Sequence, residues 1–349
     1  MVRYDTVLAE LRERPRSWLV TGAAGFIGSH LVETLLRNGQ RVSALDNFAT
    51  GYRRNIDDVL AKTRGLGGSF TLIEGDIRDP DTCLSACESV DFVLHQAALG
   101  SVPRSIVDPV LFHEVNVNGT MNMMVAARDA GVRRFVYASS SAVYGTHFAL
   151  PKVEPAIGDA ASPYGLTKRV DELYGELFRS VYGLETVGLR YFNVFGRRQD
   201  PRSTYAAVIP QWVRHLLRGE PCYIHGDGET TRDFCYVDNV VQANLLAAIG
   251  TLSHGDQIYN VGCGERISLN DLFGTLRRAL AEFRPEIAQM QPIHDDFRSG
   301  DVRHSQADVG KIRRNLGFVP THLLEPGLRE TLPWYVELFA GAEVGAATS

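Results

Sequence analysis

The sequence predicts an α/β protein built on a doubly wound parallel sheet, with a smaller α/β lobe that is interleaved with it toward the C-terminus. Short apolar strands alternate with helical stretches over the first half of the chain, which is the pattern of a parallel sheet with helices on both faces. A glycine-rich turn follows the first strand, and a carboxylate ends the second. The composition agrees, because 349 residues with 44% hydrophobic and 22% charged side chains suit a globular protein of about two domains.

Each element of the sheet domain follows from its local pattern. Residues 1–16 resemble a short amphipathic helix, and 18–21 form a short apolar strand that runs into the glycine turn. A helical pattern over 27–36 ends at the Asn-Gly pair 38–39. Further strands are predicted at 41–45, 70–73, 92–94, 135–138 and 187–190, and helices at 113–131 and 164–182.

The pattern changes after Tyr191, which indicates the second lobe. A polar loop covers 197–201, and Gly and Pro interrupt the chain at 217–233, 262–268 and 296–301. A helix at 238–250 and a strand at 258–261 are expected to return to the sheet. The predicted domains are a cofactor domain of residues 1–193 plus about 234–264, and a substrate lobe of about 194–233 plus 265–349.

Charge and cysteine content exclude several classes of protein. The 36 Lys and Arg against 41 Asp and Glu give a net charge of −5, so neither nucleic acid nor an anionic membrane is expected as a partner. Five scattered cysteines do not make a disulfide framework, and Cys83 and Cys87 lack a second pair at metal-ligand spacing. We therefore expect free thiols and no metal. The charged N-terminus has no apolar signal segment, and no apolar run reaches the ~20 residues of a membrane span, which predicts a cytoplasmic protein.

Three glycines, Gly22, Gly25 and Gly28, lie between the first strand and the following helix. Glycines allow a tight turn and a close approach of the backbone to a pyrophosphate, which then binds at the helix N-terminus. The spacing is G-x-x-G-x-x-G rather than the G-x-G-x-x-G of many dehydrogenases. A tight strand–helix connection would also explain such a turn, so the turn alone does not establish dinucleotide binding.

Asp46 strengthens the case, because it ends the second strand eighteen residues after Gly28. A carboxylate at this place accepts hydrogen bonds from the ribose hydroxyls of NAD and repels the 2′-phosphate of NADP. The arginine pair at 53–54 would favour NADP, but it lies beyond the tip of the strand. Asp76 and Ile77, after the third strand, are expected to flank the adenine ring. These residues predict NAD on a Rossmann sheet.

Tyr164 and Lys168 are four residues apart on a predicted helix, which places both side chains on one face. An ammonium beside a phenol favours the phenolate, a base that can take a proton from a secondary alcohol. The serine run 139–141 ends the preceding strand, at the edge where strand ends form a site. A Tyr-x-x-x-Lys pair alone is common on helix surfaces. The order of glycine turn, Asp46, serines and this pair indicates an oxidoreductase-like site.

These residues and the longer segments around them resemble the extended short-chain dehydrogenase/reductase family, and within it the nucleotide-sugar epimerases. The resemblance covers about residues 17–340 and is carried by TGAAGFIGSHL, LDNFATG, GDIRD, LHQAA, NVNGT, SSSAVYG, SPYGLTK, LRYFNVFG, RDFCYVDN and RSGDVRHSQAD. The stretches LGSVPRSI, YFNVFGRRQDP, YAAVIPQW and GDVRHSQAD are most similar to the bacterial UDP-N-acetylglucosamine 4-epimerases of the O-antigen type. The family's dimers imply a homodimer here, formed by the helices near 113–131 and 164–182.

The resemblance implies a role for each matched residue. It implies that the catalytic residues are Ser140, Ser141, Tyr164 and Lys168. It implies NAD contacts from Gly22, Gly25, Phe26, Ile27, Gly28, Asp46, Asn47, Gly51, Asp76, Ile77, Gln96, Ala97, Ala98, Asn116, Thr120, Tyr164, Lys168, Tyr191 and Val194. It implies contacts to a UDP-sugar from Ser101, Arg104, Ser140, Ser141, Tyr164, Asn193, Val208, Tyr223, Arg232, Arg298, Asp301 and Ser305. In this last set Asn193, Arg232 and Arg298 would surround the diphosphate, and Val208 and Tyr223 the uracil.

The same resemblance selects among the family's reactions. Its dehydratases carry an Asp-Glu pair where this chain has Ser141 and Ala142, and its decarboxylases keep a Glu at the second of these places. Elimination needs such an acid and base, so epimerisation is expected instead. The implied reaction converts UDP-N-acetylglucosamine and UDP-N-acetylgalactosamine into each other. It runs through transient oxidation at C4 with tightly bound NAD, a 4-keto intermediate and hydride return to the opposite face.

Ser305 matches the position that limits sugar size in this family, where a bulky residue favours plain hexoses and a serine leaves room for a 2-acetamido group. One alternative is a UDP-glucose/UDP-galactose 4-epimerase. An alternative from another class is a non-catalytic NAD-sensing protein on the same fold, since a fold does not determine a function. The complete set of Ser140, Tyr164 and Lys168 argues against a sensor, which has no need of a base.

Overall fold

A computed structural model of the chain describes residues 3–201, 207–252, 255, 257–297 and 302–346. Its strands are β1 (Ser17–Thr21), β2 (Arg41–Asp46), β3 (Ser69–Glu74), β4 (Phe92–His95), β5 (Arg134–Ser140), β6 (Thr186–Tyr191), β7 (Val194–Phe195), β8 (Tyr223–His225), β9 (Thr231–Arg232), β10 (Cys235–Tyr236), β11 (Ile258–Val261), β12 (Ile267–Ser268) and β13 (Ile293–Asp295). Its α-helices are α1 (Tyr4–Glu13), α2 (Phe26–Arg37), α3 (Arg53–Thr63), α4 (Pro80–Cys87), α5 (Val102–Val107), α6 (Pro109–His113), α7 (Gly119–Asp129), α8 (Pro163–Tyr182), α9 (Val208–Arg218), α10 (Val237–Ile249), α11 (Leu269–Ala281), α12 (Gly310–Leu316) and α13 (Leu324–Ala346). A π turn covers Glu114–Asn118, and 3₁₀ turns cover Ser141–Tyr144 and Pro285–Gln289.

Seven parallel strands form the main sheet in the order β3-β2-β1-β4-β5-β6-β11. The order reverses at β1, which pairs with β2 on one side and with β4 on the other. In a doubly wound sheet the ligand crevice opens at this reversal, outside the carboxyl ends of the strands. β11 lies beside β6, so the segment at 258–261 returns to the sheet as predicted. The predicted fold class, a doubly wound Rossmann sheet, is confirmed.

Helices cover both faces of this sheet. Successive side chains of a strand point to opposite faces, and in β1 Trp18 and Val20 pack on one face while Leu19 packs on the other. The first face is covered by apolar side chains of α1, α2, α3 and α10, and the second by those of α4, α7 and α8. Burial on both faces explains why the strands are almost continuously apolar rather than alternating.

The helix predicted at 113–131 begins earlier than expected. α6, the π turn and α7 run without a break from Pro109 to Asp129. The side chain of Asp108 caps this run by accepting a hydrogen bond from the backbone nitrogen of Leu111, and Pro109 occupies the first turn. An Asp-Pro pair is a strong helix start, and the apolar periodicity alone does not reveal it.

A second apolar core lies apart from the sheet. It is built from α9, α11 and α13, with Trp212, Phe273 and Tyr335 among its largest side chains. The segment 307–318, which the sequence assigns to the second lobe, packs Ile312 and its apolar neighbours on the first core instead. α12 lies against β11 there. We therefore propose the two predicted lobes with this segment moved to the first.

All five cysteines are free thiols. Within the described ranges, no helix combines the length and the hydrophobicity that crossing a bilayer requires. The same residues bring no group of three His, Cys, Asp or Glu side chains together for a metal ion.

Candidate active site

The glycine turn brings backbone groups to the carboxyl end of β1. Gly22 has a φ of +64°, and a Cβ there would lie 2.8 Å from the backbone nitrogen of Ala97. A Cβ on Gly28 would lie 2.0 Å from the carbonyl oxygen of Gly22. α2 begins at Phe26 directly after Gly25, which has no side chain to cap it. Its first N–H groups are therefore available to a phosphate.

Asp46 lies beside this turn at the end of β2. Its Oδ2 accepts from the backbone nitrogen of Ala24 at 2.9 Å, and its Oδ1 accepts from that of Phe48 at 2.7 Å. A Cβ on Gly51 would come within 3.0 Å of Oδ1, so the backbone passes close to the carboxylate. Burial raises the pKa of Asp46, and the two N–H bonds oppose that rise. The carboxylate is thus held in one orientation, with lone pairs left for ribose hydroxyls.

Asp76 and Asn47 form the adjoining wall. Nδ2 of Asn47 donates to Oδ2 of Asp76 at 2.9 Å, and Nη2 of Arg78 donates to the same oxygen at 2.7 Å. The hydrogen bonds from Arg78 are the main cause that lowers the pKa of Asp76 to about 2. Asp76 is therefore ionised at neutral pH, and Ile77 follows it in the same wall.

One cavity of about 1010 Å³ extends from this wall to the serines that end β5. Sixteen of the predicted NAD contacts line it: Gly22, Gly25, Phe26, Ile27, Gly28, Asp46, Asn47, Asp76, Ile77, Gln96, Ala97, Ala98, Tyr164, Lys168, Tyr191 and Val194. The other three, Gly51, Asn116 and Thr120, are not among the described residues that line the cavity. Asn116 accepts from the backbone nitrogen of Leu99 at 2.8 Å and donates to Oγ1 of Thr167 at 3.1 Å. It therefore ties the loop after β4 to α8.

His95, which is not among the residues predicted from the sequence, supports the same loop. Its Nε2 lies 3.0 Å from Oγ1 of Thr120, and its Nδ1 lies 2.8 Å from Oγ1 of Thr21. Oγ1 of Thr21 in turn accepts from the backbone nitrogen of Ala97 at 3.1 Å. Burial lowers the pKa of His95 to about 3, so the ring is neutral. The sequence signal was a single polar side chain at the end of an apolar strand.

The three serines at the end of β5 have different surroundings. Oγ of Ser139 donates to Oε1 of Glu172 at 2.7 Å, so this hydroxyl is engaged in the interior. Ser140 lines the cavity, and its Oγ accepts from the backbone nitrogen of Ala142 at 3.1 Å. That bond leaves the Ser140 proton free to donate. Ser141 begins a 3₁₀ turn and is not among the described lining residues. The geometry therefore favours Ser140 as the reacting hydroxyl.

Tyr164 and Lys168 reach the cavity from the first two turns of α8. Ser162 caps this helix by accepting a backbone hydrogen bond, which explains its start. Lys168 is only 2% exposed, and its Nζ lies 3.2 Å from Oδ2 of Asp171. Tyr164, Lys168 and Ser140 line one and the same cavity. A phenol, an ammonium and a hydroxyl together can take a proton from an alcohol and return it.

A buried ion pair fixes α8 against the strands. Glu172 accepts from Nε of Arg190 at 2.7 Å and from its Nη2 at 2.8 Å, and the two side chains are 1% and 2% exposed. Arg169 adds a hydrogen bond at 3.0 Å. The pair orients the helix that carries Tyr164. This pair is not among the residues predicted from the sequence, although a charged residue inside the apolar strand GLRY is a visible signal.

Two loops meet across the mouth of the cavity. Oη of Tyr52 donates to Oδ2 of Asp200 at 2.6 Å. Arg198 anchors the second loop, because its Nη2 lies 2.5 Å from a carboxylate oxygen of Glu33 and 2.6 Å from one of Asp58. The cavity is thus bridged between the loop after β2 and the loop after β7.

The predicted UDP-sugar contacts fall into separate groups. With Ser140 and Tyr164, the cavity is lined by Ser101, Arg104 and Asn193. Outside the described lining, on α9, β8, β9 and the segment that follows residue 302, lie Val208, Tyr223, Arg232 and Ser305. The backbone nitrogen of Ser305 donates to the carbonyl oxygen of Thr231 at 3.1 Å. Ser305 therefore lies beside β9, the strand that contains Arg232. Arg298 and Asp301 lie outside the described residues.

Comparison with known proteins identifies the family. The model of the NAD dependent epimerase/dehydratase family matches residues 18–262, which contain the glycine turn, Asp46, Ser140, Tyr164 and Lys168. The chain belongs to this family. The predicted resemblance is therefore confirmed, and NAD is the cofactor of this family member.

Several relatives are similar over almost the whole chain. The UDP-glucose 4-epimerase of Mycolicibacterium smegmatis is 38% identical over 319 residues, which are 91% of this chain and 97% of the relative. The UDP-glucose 4-epimerase of Thermotoga maritima, solved with UDP-glucose, is 35% identical with a TM-score of 0.82 and coverage of 93% and 99%. The UDP-N-acetylglucosamine 4-epimerase of Methanobrevibacter ruminantium, solved with UDP-N-acetylmuramic acid, is 34% identical with a TM-score of 0.83 and the same coverage.

The residues of this epimerase/dehydratase family member fit NAD. The backbone around the glycine turn leaves no room for a Cβ at Gly22 or Gly28, and the start of α2 offers uncapped N–H groups that would bind a pyrophosphate. Asp46 would hold the adenosine ribose, while Tyr164 and Lys168 would hold the nicotinamide half. The cavity joins these groups without interruption.

Proposed function

We propose that this enzyme interconverts UDP-N-acetylglucosamine and UDP-N-acetylgalactosamine. It is an NAD-dependent 4-epimerase of nucleotide sugars, like the relatives named above. The presence of a serine at position 305 supports these two acetylated sugars as the substrates. Ser305 is 9% exposed, and its backbone nitrogen is hydrogen-bonded to the carbonyl oxygen of Thr231, the residue before Arg232. The family resemblance assigns the limit on sugar size to this position, and a small side chain there would leave room for a 2-acetamido group.

The proposed mechanism needs one proton acceptor and one relay. Oη of Tyr164 takes the proton of the C4 hydroxyl, and Oγ of Ser140, fixed by Ala142, bridges the two oxygens. The ammonium of Lys168 stabilises the phenolate form of Tyr164. When bound, NAD supplies the hydride acceptor and donor. Tyr164 returns its proton to the same oxygen after the sugar has turned, so no net proton is consumed.

Rotation of the 4-keto sugar in the site requires that the nucleotide stay bound. The nucleotide has to stay bound while the hexose rotates, so binding energy must come from groups remote from C4. We propose that Arg232, Val208 and Tyr223 supply it from the second lobe, together with Asn193. Arg232, Val208 and Tyr223 lie on elements outside the described lining of the cofactor cavity, whereas Asn193 lines it, and this arrangement supports binding of the nucleotide away from C4.

The residues after the catalytic serine support epimerisation over dehydration. Ser141 and Ala142 stand in the 3₁₀ turn, where the family's dehydratases carry an acid and a base. Neither side chain has a carboxylate. Detecting the C4 epimer and no dehydrated keto sugar as product checks this point, and any turnover excludes a purely NAD-sensing role.

The experiment on substrate choice replaces Ser305 with Tyr. A buried overlap costs ~1–3 kcal/mol or more in a packed site, so the acetylated substrate should lose roughly tenfold or more in kcat/KM, at ~1.4 kcal/mol per tenfold. The plain hexose should change much less. The readout is the kcat/KM ratio of UDP-N-acetylglucosamine to UDP-glucose, with Ser305→Ala as the matched control that keeps the volume open. A ratio that Ser305→Tyr leaves unchanged makes Ser305 a bystander.

The second candidate is a UDP-glucose/UDP-galactose 4-epimerase. The names of the Mycolicibacterium smegmatis and Thermotoga maritima relatives favour it. The wild-type kcat/KM ratio separates the two candidates, because a plain-hexose enzyme would favour UDP-glucose. Uronic sugars belong in the same comparison.

We further propose that the enzyme is a cytoplasmic homodimer. Leu166, Leu173, Leu177 and Val181 form an apolar stripe on α8 and are all exposed. Val107 at the end of α5 adds to the same kind of surface, 78% exposed. A contiguous apolar surface of this kind marks an interface, and sedimentation of the purified protein checks it.

A further inference from the structure

Asp171 contacts the lysine of the proposed base but has no part in the mechanism above. Its Oδ2 lies 3.2 Å from Nζ of Lys168, and the two side chains are 2% and 3% exposed. Within the described part of the chain, Oδ1 of Asp171 is buried without a hydrogen-bond partner. A carboxylate that is only half satisfied is costly to keep ionised.

Burial brings the pKa of Asp171 close to neutral pH, and two charged groups of the same helix modify this effect. Burial is the main cause that raises the pKa of Asp171 to about 7, Lys168 opposes the rise, and Glu172 adds to it. The carboxylate of Glu172 is itself paired with Arg190 of β6. Asp171 therefore gains or loses its proton in the neutral pH range.

The elements packed against α8 bring few other charges to this point. The buried side chains of α5, α6, the π turn and α7 carry no titratable group. β5 contributes Tyr137, the 3₁₀ turn after it contributes Tyr144, and β6 contributes Arg190 and Tyr191. His95 of β4 is neutral, because burial and, secondly, the charge of Lys168 lower its pKa. Lys168 is thus the cation that contacts Asp171.

We propose that Asp171 is a positioning residue that holds the ammonium of Lys168 and, through its own negative charge, limits how strongly this ammonium favours the phenolate of Tyr164. The inference rests on Tyr164 being the base of the proposed function. Ionised Asp171 offsets part of the Lys168 charge, and neutral Asp171 leaves that charge in full. An epimerase uses the same tyrosine as base and then as acid, so a phenol that ionised too easily would return its proton poorly.

The test replaces Asp171 with Asn, which keeps the size, can still accept from Nζ and removes the charge. Ionisation of Tyr164 is followed in the NAD-loaded enzyme by the ultraviolet difference absorbance of tyrosinate, with Tyr164→Phe as the blank. We expect the tyrosinate titration and the acid limb of the kcat–pH profile to move down together by about one pH unit in Asp171→Asn. Glu176→Gln is the matched control, because it removes an exposed carboxylate from the same helix, and its titration should not move.

Other results overturn the inference. A titration that does not move in Asp171→Asn makes Asp171 purely structural, and a move to higher pH means that Asp171 sustains the Lys168 charge rather than offsetting it. Asp171→Ser, smaller and also uncharged, should give the same downward shift if Asp171→Asn does not fold. A wild-type enzyme without any tyrosinate signal from Tyr164 overturns the base itself, whereas a signal that is present and immobile overturns the role of Asp171 alone.

Discussion

Removing the carboxylate of Glu172 should destabilise the protein strongly. In Glu172→Ala the guanidinium of Arg190 stays 2% exposed but loses both of its bonds to the carboxylate, at 2.7 and 2.8 Å. Breaking one partner of a buried pair costs about 3–5 kcal/mol, because a charge is left uncompensated. Ser139 loses its acceptor as well, which adds roughly 1 kcal/mol. We therefore expect a loss of about 4–6 kcal/mol in the free energy of unfolding.

Urea unfolding measures this loss through the shift of the midpoint at constant slope. Glu176→Gln on the exposed face of α8 is the control and should change the unfolding free energy by less than ~0.5 kcal/mol. The double variant Glu172→Leu with Arg190→Met removes both charges and should recover much of the stability, since two apolar side chains of similar size often replace a buried pair at little cost. A Glu172→Ala protein within about 1 kcal/mol of wild type would show that the buried pair of Glu172 and Arg190 contributes little to stability.

Three further predictions concern the cofactor, the base and acid stability. Asp46→Ala should weaken the binding of NAD more than that of NADP, measured as the two Kd values by calorimetry, and an unaltered preference would contradict the assigned role. Tyr164→Phe should keep the fold and the bound NAD while kcat falls by roughly 10²–10⁴-fold, and near wild-type turnover would exclude it as the base. His95 has a pKa of about 3 in the folded protein against 6.5 unfolded, so its contribution to stability is complete above pH 6.5 and is lost as pH falls toward 3. Between pH 3 and 6.5, the free energy of unfolding of His95→Asn should depend on pH less steeply than that of the wild type, by about 1.4 kcal/mol per pH unit. Equal slopes in the two proteins would argue against a buried neutral ring.

The cofactor half of the site follows from the sequence because its parts are local. The glycines of the β1–α2 turn, Asp46 at a strand end and the pair four residues apart on α8 each have a position set by one element. Parallel topology then brings those elements to one edge of the sheet. As a result, one cavity is lined by Gly22, Asp46, Tyr164 and Lys168.

The supporting contacts do not follow in this way, because they join residues far apart in the chain. Ser139 and Glu172 are separated by 33 positions, and His95 and Thr21 by 74. The sequence around one residue of such a pair does not indicate which distant residue it contacts. The second lobe is harder still, since short strands such as β8 and β9 take their place only from the packing of the helices around them. Local patterns do not determine where Tyr223 and Arg232 stand relative to the cavity.

The position of β11 at the edge of the main sheet has a consequence for how the protein is made. Strand β6 has its outer neighbour only after residue 261 has left the ribosome, and the core beneath it is completed by Phe318. Domains usually fold as units during synthesis, N-terminal first. Here β6 stays an unpaired edge strand until the residues between β6 and β11 have been translated. The proposed cofactor domain therefore cannot complete its sheet before that point. In the proposed division neither lobe is a contiguous stretch that a truncated gene would encode, and we expect the two lobes to form nearly together.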